Sequence, residues 1–268
     1  MRDVVINADD YGLSDGICET ILDLLAAGAV SNTTVMSAAP GSLRRCRALG
    51  AGRLAGLAGV HLQLSGGRPL SPPSEVPSLV DRFSGAFRPR DALTGAHPDQ
   101  VRREWRRQIE AVADLLGAAP THLDSHHGAH RFPSCAEVYL ELSADYGLPV
   151  RGGLTTRFAA RMAARGVRGS SVVLRDWTGR GLGVHELLTM LRALAGTGDG
   201  VLEVVAHPGR SDAHLRRVSS LSDAREGDAR ALRELHRDGR LAAHGYRLVR
   251  YPELSDGPDA RAGRTTGS

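Results

Sequence analysis

The chain has 268 residues, of which 41% are hydrophobic, a size and composition that suit one full-sized core and are normal for a single α/β barrel. It contains no lysine, so all 34 basic residues are arginine, which excludes Schiff-base chemistry, lysine-anchored pyridoxal phosphate and P-loops. The net charge is +4, but the arginines are interleaved with acids, as at residues 101–107. Because no basic stripe forms, we expect no nucleic-acid partner.

The sequence lacks the usual signs of a membrane or secreted protein. No apolar run approaches the roughly 18 residues that cross a bilayer, and no basic segment precedes an apolar one at the N-terminus. Cys18, Cys46 and Cys135 are odd in number and widely spaced, so we expect buried free thiols rather than disulfides or a thiolate zinc site. These features predict a soluble, cytoplasmic protein with no membrane partner.

Short apolar runs alternate with helical patterns along the chain. The runs predict strands at 4–8, 33–36, 57–62, 121–124, 148–150, 172–174, 201–206 and 246–249. Apolar residues at helical spacing, with Ser, Pro and Gly as start and stop signals, predict helices at 14–28, 98–116, 133–146, 184–195 and 223–237. Residues 65–97 are rich in Gly, Pro and Ser and form a long excursion of the kind that often carries function.

This alternation indicates an α/β fold with mostly parallel strands, either closed as a barrel or doubly wound. No GxGxxG motif follows the first strand, which argues against a dinucleotide-binding fold. Because we find neither an internal repeat nor a second domain, we predict a single domain over residues 1–252. The remaining residues, 253–268, are rich in Gly, Arg, Thr and Ser and are predicted to be a disordered tail.

Acidic and imidazole side chains follow or close four of the predicted strands. In parallel α/β folds these ends meet at one edge, where active sites form. Taken singly, each residue has an ordinary structural explanation, such as a turn, a helix cap or a core histidine. Their joint placement favours a site made of Asp9, Asp10, His61, His126 and His207.

These residue types suit metal-assisted hydrolysis of an amide. Two imidazoles and one carboxylate leave open positions on a divalent ion for water and a substrate oxygen. A second carboxylate can take a proton from water, and a further histidine can protonate a departing amine. The strongest single signal is the segment 124–130, which carries His126, His127 and His130 in one loop.

Four motifs resemble those of the YdjC/ChbG carbohydrate deacetylase family. They are NADDYGLS at 7–14, GVHL at 59–62, THLDSHH at 121–127 and EVVAHP at 203–208. The motifs occur in the family's order, and the ending GYRL at 245–248 also matches, so the likeness covers about residues 3–252.

The resemblance implies a distorted (β/α) barrel of the glycoside hydrolase/deacetylase type. It implies an enzyme that hydrolyses a carbon–nitrogen bond, removing the acetyl group of an N-acetylated amino sugar and releasing acetate. It further implies a divalent ion, Mg²⁺ or Zn²⁺, held by Asp10, His61 and His126, with Asp9 as the base and His207 as the proton donor. A homodimer is also implied.

Three further residues are candidates for contacting the substrate, namely Tyr11, His127 and Arg151. Relatives often carry an arginine near the substrate at the position of Arg151, although a surface arginine is an equally good interpretation. The sequence departs from the family's common DSHHHVH at Gly128, which replaces the third histidine. We therefore expect a cleft shaped for a sugar other than the commonest family substrate.

Two alternatives of different kinds remain. The same site could hydrolyse another amide or an ester in natural-product or lipid biosynthesis, with the 65–97 excursion building the pocket. The second alternative is a non-catalytic sugar-binding protein on the same fold. The presence of Asp9 and His207 beside three metal-ligand candidates argues against this, because a binder needs no proton-transfer pair.

Overall fold

A parallel β-sheet occupies the centre of the protein, and its strands are close to those predicted. The computed structural model describes residues 1–153, 155–196 and 200–255. Within these residues the strands are β1 (Arg2–Tyr11), β2 (Asn32–Val35), β3 (Ala58–Leu62), β4 (Leu123–Ser125), β5 (Val172–Leu174), β6 (Leu202–Ala206) and β7 (Tyr246–Leu248).

Helices connect and cover the strands. They are α1 (Asp15–Ala27), α2 (Ser42–Ala48), α3 (Pro98–Leu116), α4 (Pro133–Tyr146), α5 (Thr156–Ala164), α6 (Val184–Ala195), α7 (Leu215–Val218), α8 (Ala224–Arg237) and α9 (Arg240–Ala243). The predicted start and stop signals of α1 are confirmed, because the Ser14 hydroxyl accepts the Ile17 N–H and Gly28 ends the helix at a φ of 74°. The short helices α2, α5, α7 and α9 were not predicted.

The strand order is β4-β3-β2-β1-β6-β5, with every pairing parallel, and β7 joins the first residues of β1. Between β4 and β5 the sheet is continued by single bridges, from Leu123 to Val150 and from Val150 to Gly169. The predicted strand at 148–150 is therefore reduced to these bridges, since Pro149 has no N–H to donate to a ladder. The sheet curls into a distorted (β/α) barrel, which confirms the predicted fold class.

The core consists mainly of Leu, Val, Ala and Ile, as the low aromatic content requires. The amphipathic helix α3 illustrates the packing: Val101, Trp105, Ile109 and Val112 recur on one face, and all four are fully buried. Burying side chains of this kind stabilises the fold by about 1.5–3 kcal/mol each. This packing holds the strands rigidly and fixes the edge at which the polar residues meet.

The excursion at 65–97 is tied to the barrel rather than loose. It contains the short 3₁₀ helices Pro73–Glu75 and Arg90–Gly95 and an antiparallel bridge between Val80 and Phe87. The buried carboxylate of Glu104 anchors its start by accepting the backbone N–H groups of Leu70 and Ser71 at 2.9 and 2.8 Å.

A 3₁₀ helix spans Tyr251–Ser255, so the first three residues of the predicted tail at 253–268 are ordered in that helix. Residues 256–268 lie outside the described residues. Among the helices of the described part of the chain, none combines the length and apolar character that crossing a membrane requires.

Candidate active site

The five residues predicted from the strand ends line one cavity of about 320 Å³. Its floor is the carboxyl edge of the barrel. Asp9 and Asp10 are neighbours in β1 and would point to opposite faces of a regular strand. Here Asp10 has a φ of 72° and the pairing of β1 with β2 shifts between Ala8 and Tyr11, so both carboxylates reach the cavity.

Three ligand atoms form a nearly equilateral triangle in this cavity. The distances are 3.3 Å from His61 Nε2 to Asp10 Oδ1, 3.4 Å from His126 Nδ1 to Asp10 Oδ1 and 3.3 Å between the two histidine nitrogens. Ligands about 2.1 Å from one ion lie about 3.0–3.4 Å apart when they subtend near-tetrahedral or right angles. Asp10 Oδ1 is also buried without a hydrogen-bond partner. The three residues therefore fit a divalent metal ion.

Asp124 orients the His61 ring toward that triangle. Its Oδ1 lies 2.6 Å from His61 Nδ1, so the ring donates there and keeps the lone pair of Nε2 for the metal. Burial alone would lower the pKa of His61, but the carboxylates of Asp124 and Asp10 raise it to about 10. The site thus has a local field that favours positive charge. A second possible ligand group consists of Asp9, His61 and Asp124, and within it His61 Nδ1 is already paired with Asp124.

Arg225 holds the other oxygen of Asp10. Its Nη2 donates to Asp10 Oδ2 at 2.6 Å, and both side chains are 2% exposed. Burial raises the pKa of Asp10, but the guanidinium of Arg225 together with the rings of His126 and His61 outweighs this and holds the pKa well below the ordinary range. Asp10 therefore stays ionised and presents only Oδ1 toward the histidines. Nothing in the sequence pointed to Arg225, because it lies in α8, 215 positions after Asp10.

Arg151 holds the second carboxylate, Asp9. Its Nη1 and Nη2 donate to Oδ2 and Oδ1 of Asp9 at 2.8 and 2.7 Å, and Nε donates to Glu203 at 2.7 Å. Burial raises the pKa of Asp9, but the charge and hydrogen bonds of Arg151, with smaller contributions from His61 and His207, lower the pKa by more. The carboxyl is therefore ionised. Arg151 is 2% exposed, so the surface-arginine interpretation is wrong: every polar group of this side chain faces a buried acid.

His207 faces Asp9 across the cavity, with its Nε2 3.9 Å from Asp9 Oδ2. The hydroxyl of Thr178 donates to Asp228, so its oxygen accepts from His207 Nδ1 at 2.9 Å. This arrangement fixes the proton of the neutral ring on Nδ1 and leaves Nε2 to exchange protons with the cavity. Burial lowers the pKa of His207 despite the nearby carboxylates of Asp10 and Asp9.

The two other substrate candidates differ in position. His127 lines the cavity, its Nδ1 lies 2.9 Å from Ser65 Oγ, and burial together with His126 lowers its pKa to about 4. Tyr11 does not line the cavity. It is fully buried, and burial together with the thiols of Cys18 and Cys46 raises its pKa. The shift of β1 turns Asp10 into the cavity and leaves Tyr11 in the core.

Several residues that line the cavity were not predicted from the sequence. The strand-end rule could have found Arg175, which follows β5 directly. It could not have found Thr178, which lies in the loop beyond, or the segment 219–221, which approaches from the other side.

Fold and site together define an α/β barrel protein with a candidate metal centre at the carboxyl ends of its strands. Residues 3–242 match the family profile described as YdjC-like protein, and the chain belongs to this family. The resemblance found in the motifs is thereby confirmed.

Curated relatives align with nearly the whole chain. A carbohydrate deacetylase of Geobacillus stearothermophilus is 32% identical over 254 residues, covering 94% of this chain and 98% of the relative. A chitooligosaccharide deacetylase of Salmonella typhimurium is 29% identical over 254 residues, covering 92% and 96%.

Solved structures share the fold. A protein of Enterococcus faecalis V583, provisionally described as a cellobiose-phosphate cleavage protein, superposes with a TM-score of 0.83 at 26% identity, covering 94% of this chain and 98% of that one. A polysaccharide deacetylase of Bacillus cereus superposes with a TM-score of 0.50 at 12% identity, covering 96% of each chain. The second likeness shows the fold alone.

Proposed function

We propose that this protein is a divalent-metal-dependent deacetylase that hydrolyses the N-acetyl group of an amino sugar and releases acetate. The observation that carries the proposal is one cavity in which a metal-ligand triangle, Asp10, His61 and His126, adjoins a proton-transfer pair, Asp9 and His207. The names of the curated relatives, carbohydrate deacetylase and chitooligosaccharide deacetylase, support the substrate class.

The chemistry divides between the ion and the chain. Asp10, His61 and His126 would hold a divalent ion, which would supply Lewis-acid polarisation of the acetyl carbonyl and would make water more acidic. Asp9 accepts the proton of the attacking water, with Arg151 keeping the carboxylate ionised and aimed.

His207 completes the reaction at the leaving nitrogen. Its Nε2, 3.9 Å from Asp9, is the ring atom free to carry a proton, since Nδ1 is fixed by Thr178. Once protonated, Nε2 donates to the sugar nitrogen, and the carbon–nitrogen bond breaks to give acetate and a free amine. This exchange needs no residue outside the cavity.

Two of the three ligands are imidazoles, which favour Zn²⁺, whereas Mg²⁺ prefers oxygen ligands. We therefore propose Zn²⁺ as the first ion to test and Mg²⁺ as the second. The experiment measures acetate release from N-acetylglucosamine and N,N′-diacetylchitobiose after the protein has been stripped of metal and reloaded with either ion.

The matched variants are Asp9→Asn, in the proton-transfer pair, and Asp114→Asn, an exposed position on α3. Loss of a general base lowers kcat by about 10²–10⁴-fold. We expect Asp9→Asn to show this loss with its metal still bound, and Asp114→Asn to match the unchanged protein. Full activity in Asp9→Asn, or no acetate release by the metal-loaded protein, would contradict the proposal.

A further inference from the structure

The excursion at 65–97 contacts the metal-ligand candidates from outside the cavity. Within the part of the chain that the structure describes, no residue of the excursion lines the cavity that holds the metal-ligand triangle. The excursion therefore does not form a wall of that cavity. Its contacts lie instead behind the turn that carries His126, one of the three metal-ligand candidates.

This turn has a backbone conformation that its own residues do not favour. His127 has a φ of 54° and Gly128 a φ of 65°, so two successive residues are left-handed. Glycine adopts this conformation freely, whereas a residue with a side chain pays for it and stays there only where its surroundings hold it. The rings of His126 and His127 stack with their centroids 3.7 Å apart, so the position of His127 also sets that of the ligand ring.

Two residues of the excursion make the contacts that hold His127. Near the start of the excursion, Ser65 Oγ lies 2.9 Å from His127 Nδ1. Near its end, Arg90 Nε donates to the His127 carbonyl at 2.8 Å, and the Arg90 guanidinium lies over the Phe132 ring, 5.0 Å from its centroid. The excursion thus holds both the ring and the backbone of the strained residue.

Gly66 lies directly against the His126 ring. A Cβ at Gly66 would lie 3.3 Å from His126 Nε2, which is closer than side chains normally pack. The neighbouring backbone has no room to move back, because Gly67 packs closely against the Ala38 carbonyl and accepts the Phe87 N–H at 3.0 Å. A side chain at position 66 would therefore displace the ring of His126.

Building on the proposed function, we propose that the 65–97 excursion is a clamp that positions the metal-ligand candidate His126. The clamp residues are Ser65, Gly66 and Arg90, and they act through the turn rather than by contacting substrate. The clamp sets the affinity of the site for its divalent ion. Because coupling free energies are reciprocal, an ion bound by His126 in turn stabilises the excursion.

Two glycine variants separate this role from an ordinary effect on stability. Gly66→Ala and Gly85→Ala both place an alanine in the left-handed region, at φ values of 69° and 65°, so both carry a similar backbone penalty. A Cβ at Gly85 would meet Arg68 and Pro73 at 3.5 Å, an ordinary contact away from the histidines. Calorimetric titration of the metal-stripped proteins with Zn²⁺, or with Mg²⁺ if no Zn²⁺ binds, measures Kd. Thermal unfolding without metal checks the fold.

We expect the two glycine variants to lose similar thermal stability, but only Gly66→Ala to lose metal affinity. The expected loss is about 10–100-fold, the usual effect of disturbing the support of a metal ligand. Arg90→Gln should lose affinity by about 2–10-fold, the value of one hydrogen bond. Its matched control is Arg82→Gln, an exposed arginine of the same excursion, which should bind the ion like the unchanged protein.

Hydrogen exchange measures the reciprocal effect, which a merely structural role would not produce. Binding of the ion should slow amide exchange in residues 65–72 of the unchanged protein, and it should slow this exchange less in Gly66→Ala and Arg90→Gln. Residues 184–195 of α6, which packs on α8 and β5, should exchange at the same rate with and without the ion.

Equal metal affinity in Gly66→Ala and Gly85→Ala would overturn the inference, and so would exchange in residues 65–72 that does not respond to the ion. The proposed deacetylase would still stand in that case if the metal-loaded protein released acetate. Metal affinity that depends on Gly66 and Arg90, without any acetate release, would support the clamp and contradict the proposed function. A protein that binds neither Zn²⁺ nor Mg²⁺ would contradict both.

Discussion

Arg151 and Asp9 are joined by two parallel hydrogen bonds of 2.7 and 2.8 Å, although 142 positions separate them in the chain. The same guanidinium reaches Asp124, which holds His61, and Glu203, which receives the hydroxyls of Ser170 and Tyr251 at 2.7 and 2.5 Å. One buried cation thus connects the proposed base to the support of the proposed metal site.

Replacing Arg151 should therefore reduce catalysis more than it changes substrate binding. Arg151→Lys keeps a positive charge but loses the two-point contact that aims Asp9, and misplacing a catalytic group costs on the order of 100-fold in rate. We expect kcat to fall by about that factor while KM changes little. The control is Arg192→Lys, on the exposed face of α6. An Arg151→Lys protein with the original kcat would show that the fork is not needed.

Arg151→Met should also destabilise the fold. It removes the guanidinium that pairs with both Asp9 and Glu203, and breaking a buried pair costs about 3–5 kcal/mol. Denaturant unfolding measures this loss, with the matched exposed variant Arg192→Met expected to stay within about 0.5 kcal/mol. A stability equal to that of the unchanged protein would mean that these carboxylates are compensated in some other way.

Asp124→Asn should weaken metal binding without removing a ligand. The Asp124 carboxylate holds His61 Nδ1 at 2.6 Å, and loss of such an outer partner typically lowers metal affinity by about 10–100-fold. Calorimetric titration with Zn²⁺ measures the change, and Asp114→Asn on α3 serves as the matched control. Unchanged affinity in Asp124→Asn would place the ion away from His61.

The Thr178 hydroxyl should matter to His207 but not to metal binding. Thr178→Val has nearly the same shape but breaks the connection from His207 Nδ1 to Asp228. We expect kcat to drop by about 10-fold or more, within the usual contribution of acid–base catalysis, with metal affinity unchanged. Thr178→Ser keeps the hydroxyl and should restore most of the activity. Equal losses of kcat in Thr178→Ser and Thr178→Val would show that the hydroxyl is not sufficient and would contradict this prediction.

The thiols should be unreactive in the folded protein. Cys18, Cys46 and Cys135 are free and buried, and burial raises the pKa of Cys135 to about 11. Because the thiolate is the reactive form, the raised pKa of Cys135 means slow reaction at pH 8. The hydrogen bond with Cys18 lowers the pKa of Cys46, so Cys46 is protected by its complete burial alone. Ellman's reagent should therefore count three thiols after unfolding and essentially none before. A fast-reacting thiol in the native protein would contradict this.

The sequence was enough to predict the barrel and most of the polar residues at its edge. Strand positions follow from short apolar runs, and parallel strands bring their carboxyl ends together, so the sequence predicts one edge that carries Asp9, Asp10, His61, His126 and His207. The choice of three of them, Asp10, His61 and His126, as metal ligands came from the family resemblance. The role of each residue stays a prediction, as do the homodimer and the cellular location.

What the sequence could not give was long-range pairing. Arg225 lies in a helix whose pattern predicts only an amphipathic surface, and its contact with Asp10 depends on how α8 packs. The register shift in β1 could not be predicted from the sequence either, because the positive φ at Asp10 is decided by its surroundings rather than by its residue type. That is why Tyr11 was predicted near the substrate and lies in the core instead.

The most direct test of the proposed metal-dependent deacetylase is acetate release by the metal-stripped protein, measured before and after one equivalent of Zn²⁺ or Mg²⁺ is added. The proteins compared are the unchanged chain, His126→Ala and the exposed control His185→Ala. We expect no release without metal, recovery with one ion per chain in the unchanged protein and the control, and little recovery in His126→Ala. Full release without metal, or equal recovery in His126→Ala, would contradict the proposal.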